Sequence, residues 1–422
     1  MKPLFCYCGP IESSKSQFNR ALIIKSFFPD LIIEGKSSAQ DVQDLKSCVE
    51  KIISGKPDFL NGTTHEFWVG EGGTVLRFLL ARLSRQPGSY SIKGTPRLLQ
   101  RPHHGLMKIL VQLGVKISID SNQIQLISSG WQIPQTPILL PFEQSSQFAS
   151  ALLLACWKLP QPITLDLSLF NQHQTHSASY FLMTINLLNT MGMNLRYQTE
   201  KLVTIEPSWT LAKSNITLDP DWSSLATLIV AAWLAGQVEV PLSVSKREPS
   251  FDQPDSQILQ LFAHQQPPPF VWDPDQQKIK VTMLSSIPPF NWNFEQTPDL
   301  LPSLSVLASF AEGHCHFRGW QNVRYKESDR LLNAQKLLTL AGVNHYLQND
   351  EWIIEGKGPA FIPRTFSYDP DQDHRMAMAA ALFRLKNKNI VINNYQVVKK
   401  SFPQFWKILF PHEQWFYDPS TF

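Results

Sequence analysis

At 422 residues the chain is longer than one compact core usually serves, so its length predicts two domains. Hydrophobic residues make up 43% and charged residues 17%, a globular composition that excludes a disordered or fibrous chain. The net charge of +3, from 38 Lys and Arg against 35 Asp and Glu, argues against a general nucleic-acid binder. An anionic ligand would therefore need a local cluster of charge.

The cysteines and histidines do not form a metal-binding pattern. Five cysteines, an odd and scattered number, are typical of a reducing compartment rather than of a disulfide framework. Cys6 and Cys8 have no second cysteine pair, and His173 and His176 have no acidic or cysteine partner at ligand spacing, so we predict no metal site. The longest apolar run, over residues 225–235, is about half a membrane span. We expect a cytoplasmic protein.

Polar and cationic residues recur at the predicted helix starts along the whole chain. Hydroxyls at such positions serve as caps, and a helix N-terminus also attracts anions. If several of these ends converge, they bind anions without a large net charge. The predicted elements are a strand over residues 4–7 and helices over 21–28, 41–53, 75–83, 105–113, 300–311, 331–341, 373–385 and 404–409.

A helix, a glycine and a strand follow one another at three places, around Gly114, Gly192 and Gly342. The first two glycines are 78 residues apart and the last two are 150 apart, nearly two further steps of the same length. A fourth member would fall near Pro267, in a proline-rich stretch. This long period predicts repeated α/β units rather than a solenoid.

Residues 322–330 carry three cations and two carboxylates directly before an apolar run with helical spacing. Ser328 or Asp329 is the predicted N-cap of that helix. Lys326 and Arg330 are four residues apart, which would place them on one helix face as a site for a doubly charged oxyanion. The alternative interpretation is a solvated, salt-bridged helix start.

The pattern Asn-x-Arg-x-Lys-Glu-Ser-Asp-Arg over residues 322–330 resembles the signature of the 5-enolpyruvylshikimate-3-phosphate synthase family. Companion motifs of the same family occur in the right order over nearly the whole chain. Three stretches depart from the family pattern, at Glu12-Ser13, at Glu71-Gly72 and at Ala178-Ser179. The companions are Ser14–Arg20, Gly70–Arg77, Arg101-Pro102, Ser145–Gln147, Ser177–Tyr180, Asp221, Pro298-Asp299, Asp373–Arg375 and Lys400–Pro403.

The resemblance implies an α/β fold of two similar domains. Each domain would consist of three repeated α/β units with buried helices, in the enolpyruvyl transferase-like inside-out α/β barrel, with the active site in the interdomain cleft. One domain would take residues 1–17 and 220–422, and the other would take residues 18–219.

The resemblance also implies an activity. The family transfers the enolpyruvyl group of phosphoenolpyruvate to the 5-hydroxyl of shikimate 3-phosphate and releases phosphate, in the shikimate pathway of aromatic amino-acid biosynthesis. It implies no cofactor and small-molecule partners only, with no nucleic acid or membrane, and a monomer. Two alternatives stay open: a UDP-N-acetylglucosamine enolpyruvyl transferase, whose mobile-loop cysteine has no counterpart near Arg101, and a catalytically silent relative, because of Glu12 and Glu71.

Family roles carried over to this chain give two sets of ligand-binding residues. Phosphoenolpyruvate carries a phosphate and a carboxylate, which guanidinium groups bind in bidentate geometry. Its C2 becomes electrophilic only when C3 is protonated, so the reaction needs an acid and a base. Glu327 is the candidate acid, and either Asp299 or Lys15 is the candidate base. The shikimate 3-phosphate set is Ser16, Arg20, Ser145, Ser146, Gln147, Ser177, Tyr180, Asp299, Asn322 and Lys326; the phosphoenolpyruvate set is Lys15, Gly73, Arg101, Gln147, Arg330, Arg375 and Lys400.

Overall fold

The computed structural model describes residues 4–55, 63–142, 145–171, 175–242, 252–266, 268–273 and 275–413. Within them the α-helices are α1 Lys15–Phe27, α2 Gln40–Ser54, α3 Gly73–Leu83, α4 Pro96–Gln100, α5 His104–Gln112, α6 Ser146–Leu154, α7 Ala178–Thr190, α8 Trp222–Ala235, α9 Leu301–Ser309, α10 Arg330–Ala341, α11 His374–Arg384 and α12 Phe405–Leu409. Short 3₁₀ helices cover Pro254–Gln260, Pro298–Leu300, Gln321–Tyr325 and Tyr395–Lys400. No helix in these ranges is long and apolar enough to cross a membrane.

The strands are short, and most pair within small sheets. They are β1 Phe5–Cys8, β2 Ile32–Glu34, β3 Thr64–Trp68, β4 Gly88–Lys93, β5 Lys116–Ile119, β6 Gln123–Ser128, β7 Ile138–Leu139, β8 Ile163–Asp166, β9 Leu195–Tyr197, β10 Leu202–Ile205, β11 Asn215–Thr217, β12 Gly236–Pro241, β13 Phe270–Asp273, β14 Lys278–Thr282, β15 Asn291–Asn293, β16 His314–Arg318, β17 His345–Gln348, β18 Glu351–Glu355, β19 Ser367–Tyr368 and β20 Val391–Ile392.

The chain divides into two compact units. The continuous unit is Ser13–Leu218, and the discontinuous unit combines Met1–Glu12 with Asp219–Phe422. Each of the two hydrophobic cores is drawn from the described residues of one unit. The structural division thus falls after Glu12 and Leu218. The domain boundaries after residues 17 and 219 stay a prediction about how the protein is organised.

Four sheets share one strand order, in which a parallel pair is followed by two antiparallel strands. The continuous unit holds β3-β4-β6-β5 and β7-β8-β10-β9, and the discontinuous unit holds β1-β12-β14-β13 and β15-β16-β18-β17. Each unit adds one parallel pair, β2 with β11 and β19 with β20 respectively. The prediction of repeated α/β units is confirmed. Among the described residues these sheets stay separate, and none closes into a barrel.

The glycines that suggested the repeat all have left-handed backbone conformations. Their φ angles are +80° at Gly114, +89° at Gly192 and +86° at Gly342. Each glycine lies between a helix and the outer strand of a sheet, a conformation that a residue with a side chain adopts only with strain. The fourth position, Pro267, lies outside the described residues. The strand β13 nevertheless occupies the equivalent place in the fourth sheet.

Three helices form the centre of each unit. In the continuous unit α1, α3 and α6 pack against one another, and in the discontinuous unit α8, α9 and α11 do so. Helix α8 carries no charged residue, and all of its residues except Ser223 are buried. A helix without a polar face belongs in a core. The predicted buried helices are therefore confirmed.

Capping residues decide where the helices begin. The helix predicted over 331–341 spans Arg330–Ala341, with Asp329 as its N-cap, accepting a hydrogen bond from Leu332 N at 3.0 Å. The start predicted at residue 21 is wrong. Helix α1 begins at Lys15, because the Ser14 side chain accepts from Gln17 N at 3.4 Å and caps the earlier turn.

Candidate active site

The N-terminal ends of the central helices carry many of the predicted site residues. In the continuous unit, α1 begins at Lys15, α3 at Gly73 and α6 at Ser146. In the discontinuous unit, Asp299 lies just before α9, and Asp373 is the N-cap of α11. Unpaired backbone N–H groups and the helix dipole make such ends positive. Each unit thus presents helix ends suited to bind anions or carboxylates.

Arg330 binds three carboxylates in the discontinuous unit. Its Nε donates to Asp373 at 2.8 Å, its Nη1 to Asp299 at 2.7 Å and its Nη2 to Glu327 at 2.9 Å. The side chain is only 1% exposed. Burial alone would lower the pKa of the guanidinium, but the three carboxylates outweigh burial and raise it well above its usual value. Arg330 therefore stays charged and fixes all three acids.

Three further cations face the same carboxylates. Lys326 Nζ lies 3.4 Å from Asp299, and Lys400 Nζ lies 3.3 Å from Glu327. Arg375 Nη2 lies 3.9 Å from Asp299. With Arg330, four cations thus surround three carboxylates. The cluster therefore carries a net positive charge that favours an anionic ligand. Lys400 is buried at the end of its 3₁₀ helix.

The prediction that Lys326 and Arg330 share one helix face is wrong. Lys326 follows the 3₁₀ helix Gln321–Tyr325, whereas Arg330 is the first residue of α10. The turn between them separates the two side chains along the backbone. Both contact Asp299 instead, so the acid brings the two cations together.

Arg375 has hydrogen-bond donors that the protein does not satisfy. Its Nε and Nη1 are buried and have no hydrogen-bond partner among the described residues, and the residue is 4% exposed. The Asp373 side chain accepts from Arg375 N at 2.9 Å and fixes the first turn of α11. A buried donor without a partner costs free energy until an acceptor arrives. Arg375 is thus the best-placed group in this cluster to bind an incoming anion.

Asp299 is ionised despite its environment. Burial would raise the pKa of its carboxyl, but the charges of Lys326, Arg330 and Arg375 outweigh burial and hold the pKa well below the usual value. The carboxylate can accept a proton at neutral pH. Its three cationic neighbours also make it a weak acceptor until a substrate changes the balance of charge.

Arg20 is the buried cation of helix α1 in the continuous unit. Its Nε donates to Thr184 Oγ1 at 2.8 Å, its Nη1 to Ser16 O at 2.8 Å and its Nη2 to Tyr180 O at 2.9 Å. Burial lowers the pKa of the guanidinium to about 10, so it is still charged at neutral pH. All three acceptors are neutral. These contacts therefore leave the positive charge uncancelled.

Arg77 orients part of the predicted shikimate 3-phosphate set. Its Nη1 donates to Gln147 Oε1 at 2.5 Å and lies 3.5 Å from Ser145 Oγ, while Nη2 donates to Pro102 O at 3.0 Å. Ser145 also caps α6 by accepting from Gln147 N at 3.2 Å. Arg77 lies in a recognised motif but was not predicted as a site residue. Its place in that motif was the signal.

Lys15 and Gly73 are placed by two different neighbours. Lys15 Nζ forms an ion pair of 2.8 Å with Asp41, a buried residue in the first turn of α2. A Cβ atom at Gly73 would lie 2.8 Å from Arg101 Nη1, so only glycine lets that guanidinium lie against the start of α3. The structure therefore brings the predicted pair Gly73 and Arg101 together. It also adds Asp41, which no motif in the sequence indicated as a site residue.

Three predicted residues stay apart from these networks. Ser146 is buried in the first turn of α6, and Asn322 is half-buried in a 3₁₀ helix. Ser177 occupies the N-cap position of α7 with a left-handed φ of 57° but without a capping hydrogen bond from its side chain. Within the ranges that the structure describes, their side chains make no hydrogen bond to another predicted site residue. Their assignment to shikimate 3-phosphate stays a prediction.

Asp255 is a second acidic residue, after Asp41, that the sequence did not predict. It is 1% exposed, and Ser223 Oγ donates a short hydrogen bond to it. Burial raises the pKa of its carboxyl to about 7, and the charge of Asp299 adds to the rise. Nothing in its proline-rich sequence context indicates burial.

No group of His, Cys, Asp and Glu within the described ranges is arranged to hold a metal ion. Of the pair His173 and His176, His173 lies outside those ranges.

Fold and site together define an α/β protein of repeated units whose central helices carry clustered cations and carboxylates at their N-terminal ends. A family model described as EPSP synthase (3-phosphoshikimate 1-carboxyvinyltransferase) matches residues 39–409. The chain belongs to this family.

Individual relatives agree. The 3-phosphoshikimate 1-carboxyvinyltransferase of Syntrophobacter fumaroxidans is 30% identical over 345 residues, which cover 80% of this chain and 78% of that protein. The same enzyme of Trichormus variabilis is 26% identical over 419 residues, which cover 95% of each chain.

Solved structures share the fold. The EPSP synthase of Acinetobacter baumannii matches with a TM-score of 0.72 at 19% identity, over 97% of this chain and 96% of that one. The enolpyruvyl transferase NikO of Streptomyces tendae matches with a TM-score of 0.66 at 13% identity, over 97% and 94%.

Proposed function

We propose that the protein transfers the enolpyruvyl group of phosphoenolpyruvate to the 5-hydroxyl of shikimate 3-phosphate and releases inorganic phosphate, as a step of aromatic amino-acid biosynthesis. The observation that carries the proposal is the cluster in which Arg330 holds Asp299 and Glu327 beside the unpartnered nitrogens of Arg375. It combines two acid–base groups with an anion-binding cation. Membership of the EPSP synthase family supports the same reaction.

The binding roles follow the chemistry of the two substrates. Arg375 offers two buried donors to the phosphate or carboxylate of phosphoenolpyruvate, and Arg101 offers a guanidinium against Gly73. Arg20 supports the 3-phosphate of shikimate 3-phosphate with a charge that neutral neighbours do not cancel. The other members of the two predicted sets keep the roles that family membership implies.

Asp299 is the proposed base rather than Lys15. The Lys15 ammonium is paired at 2.8 Å with the buried Asp41 carboxylate, so it already serves as a hydrogen-bond donor in a charged pair. Asp299 is ionised at neutral pH; its Oδ1 accepts from Arg330, whereas its Oδ2 lies 3.9 Å from Arg375 and can take a hydroxyl proton. We therefore assign Lys15 to charge stabilisation of the phosphate and Asp299 to proton acceptance.

Glu327 is the proposed acid at C3, and substrate binding supplies the reason for its protonation. Its two oxygens accept from Arg330 at 2.9 Å and lie near Lys400 at 3.3 Å. An arriving phosphoenolpyruvate anion competes for the same two cations. When Arg330 and Lys400 bind the substrate instead of Glu327, the ionised form of Glu327 is less stabilised, and the carboxylate binds a proton more readily.

The steps then balance. Glu327 gives a proton to C3 of phosphoenolpyruvate, C2 becomes electrophilic, and the 5-oxygen bonds to C2 while its proton passes to Asp299. The C2–O bond to phosphate then breaks, the leaving phosphate takes the proton that Asp299 accepted, and Glu327 takes a proton back from C3, which forms the enol ether and returns both acids to their starting states. Arg375 and Lys400 stabilise the departing phosphate charge.

We further propose that the enzyme works in the cytoplasm, as a monomer, on these small molecules. All five cysteines are free thiols, which fits a reducing compartment.

A phosphate-release assay tests the proposed function. We expect phosphate only when both shikimate 3-phosphate and phosphoenolpyruvate are present. Release with UDP-N-acetylglucosamine in place of shikimate 3-phosphate would assign the chain to the other transferase reaction. No release with either acceptor would leave the silent relative as the correct interpretation.

A further inference from the structure

Asp255 is a buried acid that the proposed reaction does not use. It lies in the 3₁₀ helix Pro254–Gln260, which packs against α8 and against Pro298–Leu300. Ser223 Oγ donates to its Oδ2, but its Oδ1 is buried without a hydrogen-bond partner among the described residues. An ionised carboxylate with a bare buried oxygen is costly, so this position favours the protonated acid.

The charges that face Asp255 come from three other elements. Asp221 caps α8, Asp299 belongs to Pro298–Leu300, and Arg375 lies in α11. Burial and Asp299 raise the pKa of the Asp255 carboxyl to about 7, against the opposing effects of Arg375 and Ser223, with Asp221 adding a small rise. Asp252, on the same segment, is exposed.

Arg375 is the second unsatisfied group in this cluster. Two of its nitrogens are buried without a partner, and its third faces Asp299 only at 3.9 Å. Its attraction for an anion therefore depends on every other charge nearby. A neutral Asp255 leaves that attraction intact, whereas an ionised Asp255 cancels part of it and repels the anion.

We propose that Asp255 is a positioning residue whose charge state sets how strongly Arg375 attracts phosphoenolpyruvate, so that binding weakens once Asp255 loses its proton. The inference rests on the proposed function, because it takes phosphoenolpyruvate as the anion at Arg375. It adds to that function a residue that governs affinity through charge without touching the reacting atoms.

The test compares KM for phosphoenolpyruvate from about pH 6 to about pH 8.5 in the parent, Asp255→Asn, Ser223→Ala and Asp252→Asn. Ionisation of the substrate itself affects all four proteins equally. Beyond it, we expect KM of the parent to rise about three- to tenfold across pH 7. Asp255→Asn should lose this rise, and the exposed-site control Asp252→Asn should keep it.

Ser223→Ala gives the sharper readout. The hydroxyl of Ser223 stabilises the ionised form of Asp255, so its removal should move the rise in KM to higher pH. A structural role of Asp255 would not produce such a shift. KM for shikimate 3-phosphate serves as the second control and should show no difference among the four profiles.

Two outcomes would overturn the inference. One is an Asp255→Asn profile that keeps the rise, and the other is a Ser223→Ala profile that stays at the parent's pH. If Asp255→Asn does not fold, Ser223→Ala still decides the question. A parent protein that releases no phosphate contradicts the proposed function instead, and calorimetric titration with phosphoenolpyruvate over the same pH range then tests the inference on its own.

Discussion

Arg330 does what no lysine could do at its position. A guanidinium presents its donors in fixed directions, and here three nitrogens serve three carboxylates at 2.7–2.9 Å. An ammonium is a point charge and would leave some of these buried acids unpaired. The sequence suggested this cluster as an oxyanion site. In the structure, its central arginine instead binds three carboxylates of the protein.

Asp299→Asn and Glu327→Gln should each lower kcat far more than they raise either KM. Both substitutions keep the shape of the side chain but remove its ability to move a proton, which matters in the transition state rather than in substrate binding. Steady-state kinetics with both substrates provide the measurement. Turnover within a factor of about two of the parent in both variants would remove these residues from the mechanism.

Asp255→Asn should change the pH dependence of stability. The folded pKa is about 7, above the usual 3.8, so folding binds a proton between these values. This contribution is fully present below about pH 4 and is lost as pH rises through 7. The variant lacks that loss, so its free energy of unfolding should rise relative to that of the parent by about 2–3 kcal/mol between pH 5 and pH 8.

Urea unfolding at both pH values measures the difference. A parallel pH dependence of the two unfolding free energies would show that Asp255 is already ionised in the folded protein at pH 5.

Glu71→Asn should lower KM for phosphoenolpyruvate several-fold and leave KM for shikimate 3-phosphate nearly unchanged. Glu71 is half-buried two residues before Gly73, which lies against Arg101. A carboxylate there repels the substrate or cancels a cation that the substrate needs, by about 1 kcal/mol or more if desolvated. An unchanged KM for phosphoenolpyruvate would show that Glu71 is functionally silent.

At the scale of helices, arginines also lie near the C-terminal ends of the central helices, where they stabilise the fold instead of binding a ligand. Arg82, near the end of α3, donates to Ser26 Oγ at 2.6 Å and to Ser26 O at 3.1 Å, and its guanidinium lies 4.2 Å from the Phe27 ring centroid. Arg85 donates to the carbonyl oxygens of Trp157 and Lys158, just beyond α6. These cations offset the negative helix ends.

Arg82→Met should destabilise the protein by about 2–3 kcal/mol and leave both KM values unchanged. Methionine keeps the apolar length but leaves the carbonyl of Ser26 without this donor and removes the contact with Phe27. Urea unfolding measures the effect, and Lys108→Met, at an exposed cation of α5, is the matched control. A loss no larger than in the control would mean that Arg82 does not stabilise the helix end.

Helices were predictable where a cap and a stop are local. Asp329 and Gly342 frame α10 within the sequence itself, and the glycine spacing revealed the repeated units. The start of α1 was missed because Ser14 forms its cap within a polar stretch that also suits a loop. The fourth repeat was predicted near Pro267 from the spacing alone, because the sequence has no glycine there.

The site residues that belong to sequence motifs could be predicted, and the others could not. The motif over residues 322–330, with Asp299, identified acids and cations that the structure joins through Arg330. The burial of Asp41 and Asp255 could not be predicted, because it results from packing between segments far apart in the chain. For the same reason, the sequence could not predict that Lys326 and Arg330 both form ion pairs with Asp299.

At the scale of the whole molecule, each unit has its own core and its own set of sheets. The continuous unit closes on itself through the parallel pair of β2 and β11, which joins its first and last strands. Its core residues all come from the range Ser13–Leu218. These features are those of a part that folds alone.

A fragment of residues 13–218 should therefore unfold in a single cooperative transition on heating, as followed by circular dichroism. A fragment of residues 13–200 is the control, because it lacks β10 and β11 and leaves two sheets without a strand. The longer fragment should show no phosphate release, since it lacks Asp299, Glu327 and Arg375. A fragment 13–218 without a cooperative transition would show that this unit depends on the rest of the chain.

The parallel pairing of β1 with β12 has a consequence for the order of events during synthesis. Strand β1 leaves the ribosome before β12, and roughly 230 residues must follow it before its partner emerges, a wait of about 10–50 s at ordinary translation rates. In that time the continuous unit can fold. Its ends then lie together, since a Cβ at Gly35 would be 2.5 Å from Ser13 Oγ and 3.2 Å from Leu218 Cβ. Folding of the continuous unit has by then offset most of the entropic cost of closing this long loop, and β1 reaches β12 as if across a connection of about 20 residues, namely 9–12 and 219–235.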